Sequence, residues 1–256
     1  MSQEPIISSF TAIKGPLVTE TYAIFAEWDF RRTKRENLEN SSTLAMLAAG
    51  SEKRLADISR VIFRRFQIPG RDVPLIFLAQ RHCQIDVWKT VLLWHLSQQD
   101  TLLRRFLEDW LFDAFRQGLS ELRAHPLPAF IADLRRHSGS LPFKEGTLKR
   151  AACGLLKITA DFGLTEGAGV HRFRPFALPD AALLYLLHAI ADRHAAGQRI
   201  IEAQDWRRFL MTPGDVERQL FRLHQLHLLD YQVAGSLSQL TLPCATALEF
   251  AEQYKP

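Results

Sequence analysis

Residues 212–243, TPGDVERQLFRLHQLHLLDYQVAGSLSQLTLP, hold a capped amphipathic helix that runs straight into two short β-like segments around Ala234, Gly235 and Ser236. Thr212 suits the N-cap, and Pro213 suits the first helical position, where its missing N–H costs nothing. Val216, Leu220 and Leu223 recur at helical spacing, so one face of this helix belongs to a core. A helix that leads into a hairpin is the closing half of a winged helix-turn-helix, a module that commonly lays its second helix against nucleic acid. Residues 144–178 repeat the order: a helix with Leu148, Ala152, Leu155 and Leu156 on one face, a Phe162-Gly163 exit, two short strands about 167–169, then Leu-Pro. The two stretches share architecture more than residues.

The rest of the chain reads as helix. Residues 17–30 open after Gly15-Pro16. Residues 51–67 place Leu55, Ile58, Ile62 and Phe66 on one face, with Ser51 as a cap and Pro69-Gly70 as a stop. Asp72 is read as the cap of another helix, with Pro74 in its first turn. Helices follow over 84–97, 100–118 and 126–137, and later over 181–195, 202–210 and 244–254. Their Trp and Phe stripes recur among Leu and Val, the pattern of a core rather than of base-stacking platforms. Strands do not alternate with helices as a dinucleotide-binding sheet requires. The expected fold is mainly α: a helical bundle with two winged helix-turn-helix-like units, near 144–178 and 202–243, each ending in a short β-hairpin. A helical N-terminal domain over 1–138, basic from residue 31, would join a C-terminal region over 139–256 through the 138–142 linker, SGSLP.

Charge is unevenly placed. The net +4 resolves into −3 over 1–30, +8 over 31–150 and −1 over 151–256. Of the 32 basic residues, 24 are Arg, whose planar fork bridges phosphate oxygens where Lys offers a point charge. The cations that pattern projects outward are Lys53, Arg60 and Arg64 on one helix and Arg104 and Arg105 on another. In the upstream unit they are Lys149, Arg150 and Lys157, with Arg172 and Arg174 on its hairpin. In the C-terminal unit they are Arg218 and Arg222, with Gln225 able to reach a base edge. Arg31, Arg32, Lys34 and Arg35 form either a solvated connector or a further phosphate-contacting edge. The C-terminal hairpin, 232–241, has no positive charge, so that wing suits protein contact better than nucleic acid.

Other classes are excluded by what the chain lacks. No apolar run approaches the roughly 18 residues that cross a bilayer, and residues 1–10 lack the basic start and apolar core of a signal peptide. Cys83, Cys153 and Cys244 are odd in number and without a CxxC, which opposes a disulfide framework or a zinc site and fits the cytoplasm. The phosphate-loop, nucleophile-elbow, zinc-protease and dinucleotide motifs are missing. His82-Cys83 has no orienting partner in the sequence, and His224 and His227 lack further ligands. No enzyme activity, cofactor, metal or small-molecule substrate is expected.

Several segments together resemble the BrxA family of BREX bacteriophage-defence systems. They are SFTAIKGPLVTETYAIFAEW with ENLENSS, TVLLWHLSQQDTLLRRFLEDWL, TLKRAACGLLKITADFGLTE, DAALLYLLHAI and DWRRFLMTPGDVERQLFRLHQLHLLDYQVAGSLSQLTL. The resemblance implies a helical, winged-helix-bearing, non-enzymatic accessory protein. It implies binding to double-stranded DNA with little sequence preference, beside other BREX components. It assigns no binding residue position by position, so the cations above rest on helix faces alone. A protein scaffold built on winged helices and an RNA-binding helical protein remain as alternatives.

Overall fold

The computed structural model describes residues 7–47, 51–194, 197–234 and 237–256. The fold is mainly helical with small antiparallel β elements. The chain opens with α1 (Phe10–Lys14) and α2 (Val18–Ala26), separated at Gly15 and Pro16 where the sequence reads as one helix from 17. Leu17 caps α2 in a left-handed conformation, φ 53°. Buried Arg65 fixes this corner by donating from Nη1 to the Pro16 carbonyl at 2.9 Å and from Nη2 to the Gly15 carbonyl at 2.7 Å.

Then come α3 (Lys34–Glu39), α4 (Ser42–Leu47) and α5 (Glu52–Arg65). Thr33 and Glu36 form a capping box at the start of α3, so the basic run 31–35 is largely a helix start. Lys34 Nζ donates to the Phe63 carbonyl at 2.6 Å, and its ammonium lies over the Phe63 ring. Helices α6 (Val73–Gln80) and α7 (Ile85–Gln99) form the apolar centre. Asp72 precedes α6, but its side chain does not cap it. Its carboxylate accepts instead from the Gln67 amide at 2.6 Å and from Arg71, and lies 2.7 Å from His95 Nδ1. Burial pushes the Asp72 carboxyl up, but the His95 and Arg71 bonds outweigh it and hold it at about 2.

One long helix follows in three parts: α8 (Thr101–Arg105), a π-helical turn over Phe106–Leu111, and α9 (Phe112–Arg116). A short strand, β1 (Leu122–Arg123), precedes α10 (Leu127–His137). No periodicity marks a two-residue strand, which explains its absence from the sequence reading. After α11 (Glu145–Asp161), β2 (Thr165–Glu166) and β3 (Val170–Phe173) form the upstream hairpin. Gly167 is required at its tip: a Cβ there would stand 2.3 Å from the Val170 carbonyl oxygen. β3 pairs on its other edge with β1, giving the sheet order β1-β3-β2, with Leu122 opposite His171.

The C-terminal part holds α12 (Asp180–Ala191), α13 (Gly197–Ile201), a 3-10 turn over Gln204–Phe209, and α14 (Pro213–Gln225). The helix read at 202–210 is thus the tighter 3-10 form. Thr212 and Asp215 build the capping box of α14, which buries Val216, Leu220 and Leu223. β4 (Asp230–Ala234) and β5 (Leu237–Thr241) pair in a two-stranded ribbon whose turn, at 235–236, lies outside the described residues. α15 (Ala247–Gln253) packs against α6 and α12.

Packing is continuous across 138–142. Arg135 donates to the Leu141 carbonyl and lies over the Phe143 ring, and α11 packs on both α10 and α1. One hydrophobic cluster runs from Ile7 to Tyr254 and includes Trp28, Trp88, Trp94 and Trp206.

Candidate nucleic-acid interface

The α11 helix organises the site. Ala151, Ala152, Leu155, Leu156, Ile158 and Thr159 are buried, which leaves Lys149, Arg150, Cys153 and Lys157 on the open face. Part of α11 is covered by α1, whose backbone crosses at Gly154. A Cβ on Gly154 would lie 1.9 Å from the Ala12 carbonyl oxygen, so only glycine admits this crossing. A hydroxyl bridge sets the hairpin against the helix: Thr159 Oγ1 meets Thr165 Oγ1 at 2.7 Å, and Thr165 Oγ1 lies 3.4 Å from His171 Nδ1.

Beside α11 lies a groove of about 830 Å³. Lys149, Arg150 and Lys157 line it together with Lys14 of α1 and Lys89 of α7, against Glu20 and Asp161. Ile13, Leu17, Val18, Ile85 and Ile158 contribute its apolar walls. The start of α2, which no side chain caps, also lines the groove, so its free amides add positive potential. Lys89 borders a second hollow of about 400 Å³ that Arg174 and Gly163 also line. Lys89 thus borders both hollows, with the α11 cations on one side of it and Arg174 on the other.

Ion pairing tempers that charge. Eight of the twelve cations singled out by sequence hold a carboxylate: Arg60, Arg105, Lys149, Lys157, Arg172, Arg174, Arg218 and Arg222. Lys149 meets Glu145 at 2.7 Å and Lys157 meets Asp161 at 2.9 Å. Arg172 meets Glu121 at 2.7 Å, and Arg174 meets Glu166 at 3.6 Å. Arg222 is half-buried against Asp180 at the start of α12. Among the described residues, Lys53, Arg64, Arg104 and Arg150 make no ion pair. Arg64 lies over the Phe10 ring, and Arg150 donates only to the Gly146 carbonyl.

The twelve do not form one surface. Lys149, Arg150 and Lys157 line the groove, Arg174 the adjoining hollow, and Lys53 a separate hollow with Lys14 and Arg54. Sequence pattern does not single out Lys14 and Lys89 for this groove, because they sit on elements far from α11 in sequence. Other arginines of the basic middle are internal: Arg65 and Arg135 are buried. Arg208, from the C-terminal part, bridges Glu108 of the π-helical turn at 2.6 Å and Asp205 at 3.1 Å. Cys83 is buried, and burial pushes its thiol up to about 12. Among the described residues, no cluster of His, Cys, Asp or Glu could hold a metal, and no helix is long and apolar enough to cross a membrane.

A sequence profile of the BrxA family matches residues 8–189, well over half of the chain. The chain belongs to the BrxA family. It is therefore an accessory protein of a BREX defence system. The BrxA match takes in the whole upstream unit and its groove, and stops within α12, before α13, α14 and the β4–β5 ribbon. No curated protein and no solved structure matches the chain.

Proposed function

We propose that this BrxA-family chain is a non-catalytic double-stranded DNA-binding protein that grips phosphates with little sequence preference through the α11 face and the groove beside it. One observation carries the reading. The long helix over 101–116, β1, α10, α11, β2 and β3 follow the order helix, strand, helix, helix, strand, strand, and the first strand pairs with the last. That order is compatible with a winged helix, in which the third helix faces the duplex and the hairpin flanks it. Here the third helix is α11, and its exposed face is the one bearing Lys149, Arg150 and Lys157. Phosphate contact by cations on several elements favours backbone over base recognition.

The test is duplex binding as salt is varied. A dissociation constant on the order of 10⁻⁴–10⁻⁶ M, weakening steeply from about 50 to about 200 mM salt, is expected for non-specific binding. Binding that is flat with salt, or absent at low salt, removes the reading. Competition by structured RNA separates duplex DNA from RNA as the target.

A second reading applies to the C-terminal unit, which we assign to a protein partner, another BREX component. Phe221, Leu226, Leu228 and Val233 are exposed around α14 and β4, and the strands beside them carry no Lys or Arg. A partner held this way co-purifies after nuclease treatment; one bridged by DNA is lost.

A further inference from the structure

The outer face of the three-stranded sheet carries three arginines and two glutamates: Arg123, Arg172, Arg174, Glu121 and Glu166. Leu122 and His171 face each other across β1 and β3, and both are buried. The pleat therefore turns their neighbours Glu121, Arg123 and Arg172 to the solvent side. Glu121 sits between the two arginines and gives each one oxygen. Its Oε2 accepts from Arg123 Nη2 at 2.9 Å, and its Oε1 accepts from Arg172 Nη2 at 2.7 Å. A single anion that presents two oxygens to two guanidiniums is how a phosphodiester is bound between a pair of arginines. All three side chains are well exposed, so the ion pairs are weak and open to exchange.

We propose that Arg123 and Arg172 form a phosphate seat on the wing, and that Glu121 fills it as an internal stand-in which the duplex backbone must displace. The proposal rests on the duplex-binding reading above and deepens it. Glu166 is a poorer stand-in, since it touches only Arg174, at 3.6 Å. A phosphate that takes the seat releases its condensed counterions, a gain that a fixed carboxylate cannot supply. Glu121 thereby lowers the affinity of the wing for any polyanion and makes its salt dependence shallower than the arginine count implies.

The experiment compares the full chain with Glu121→Gln, Glu121→Gln/Arg123→Gln and a charge-matched control, Glu252→Gln, on exposed residues of α15. Each is titrated with one duplex over a series of salt concentrations. Glu121→Gln is expected to bind roughly threefold or more tighter at about 100 mM salt, with a log–log salt slope steeper by about 1 to 2. Adding Arg123→Gln should return both quantities toward the parent, and Glu252→Gln should leave them near the parent. If the parent binds duplex but Glu121→Gln does not differ from it, or Glu252→Gln matches the gain, the seat is wrong while the duplex reading stands. If the parent shows no duplex binding at low salt, the duplex reading itself fails, and the seat with it.

Discussion

The upstream and C-terminal units share an order of helix and hairpin, yet they differ in what completes each hairpin. β3 is joined by β1, so the upstream ribbon becomes a three-stranded sheet with a defined outer face. Among the described residues the β4–β5 ribbon has no third strand, and α13 packs against β5. Their helices diverge too. The open face of α11 carries Lys149, Arg150 and Lys157 beside a groove, whereas that of α14 carries Phe221 between Arg218 and Gln225, with Arg222 held by Asp180. One layout thus carries two surfaces, one with cations beside a groove and one with exposed apolar side chains. The outward residues set the difference, since the inward residues only need to fill a core.

The largest expected effect concerns the strut between the C-terminal part and the rest. Arg208→Ala leaves Glu108 and Asp205 buried without their shared cation, which should cost about 3–5 kcal/mol in urea unfolding. A loss below about 1 kcal/mol would mean that the C-terminal unit is not anchored through this network.

The comparison of surfaces is sharpened by paired truncations. Arg150→Ala/Lys157→Ala should weaken duplex binding about tenfold at about 100 mM salt and flatten the salt slope by about 2. Arg218→Ala/Arg222→Ala should change affinity by less than about twofold, because two phosphate contacts would not be lost. Equal losses from both pairs would erase the distinction between α11 and α14. Phe221→Ser should do the reverse: duplex affinity holds, stability falls by less than about 1 kcal/mol because the ring is already partly in water, and nuclease-resistant partners no longer co-purify.

The smallest effect concerns two buried histidines, one in the upstream unit and one on the helix between the units. His171 on β3 and His188 on α12 are both buried, and burial pushes each below its ordinary value of 6.5. His188 holds its ring by Nδ1 to the Leu184 carbonyl while Nε2 accepts from the Cys244 amide at 3.1 Å, a pattern only the neutral ring satisfies. Both are neutral in the fold, while the unfolded chain takes up protons near 6.5. The stability they contribute is therefore full above that pH and lost as pH falls through their lowered folded values. Unfolding titrations should show a decline on acidification, reduced by His171→Phe or His188→Gln. A pH-independent stability would show that neither ring is buried as neutral.

Much of the helical layout was legible because each long helix carries its own record. Ser51 and Thr212 cap where their spacing implies, Asp72 does not, and Ile58, Ile62, Leu220 and Leu223 are buried where their period places them. Short elements left no such record. β1 has two residues, and the helix at 10–14 is separated from the next by a corner that Arg65 holds from another element. The candidate site was legible in part. Helical phase put Lys149, Arg150 and Lys157 outside, but it could not show that Lys14 and Lys89 share their groove, nor that Glu121 sits on Arg172.

The sequence by itself determined the long helices, their inward faces and the two hairpins, because these depend on residues within a turn or two of each other. The tertiary structure decided which cations meet a carboxylate from a distant part of the chain. Arg60, Arg105, Lys149, Lys157 and Arg218 meet carboxylates three or four residues away on their own helices, whereas Glu121 for Arg172, Asp180 for Arg222 and Glu108 for Arg208 come from elements distant in sequence. Net charge counts such pairs as zero wherever they fall, whereas a surface potential depends on where each partner stands.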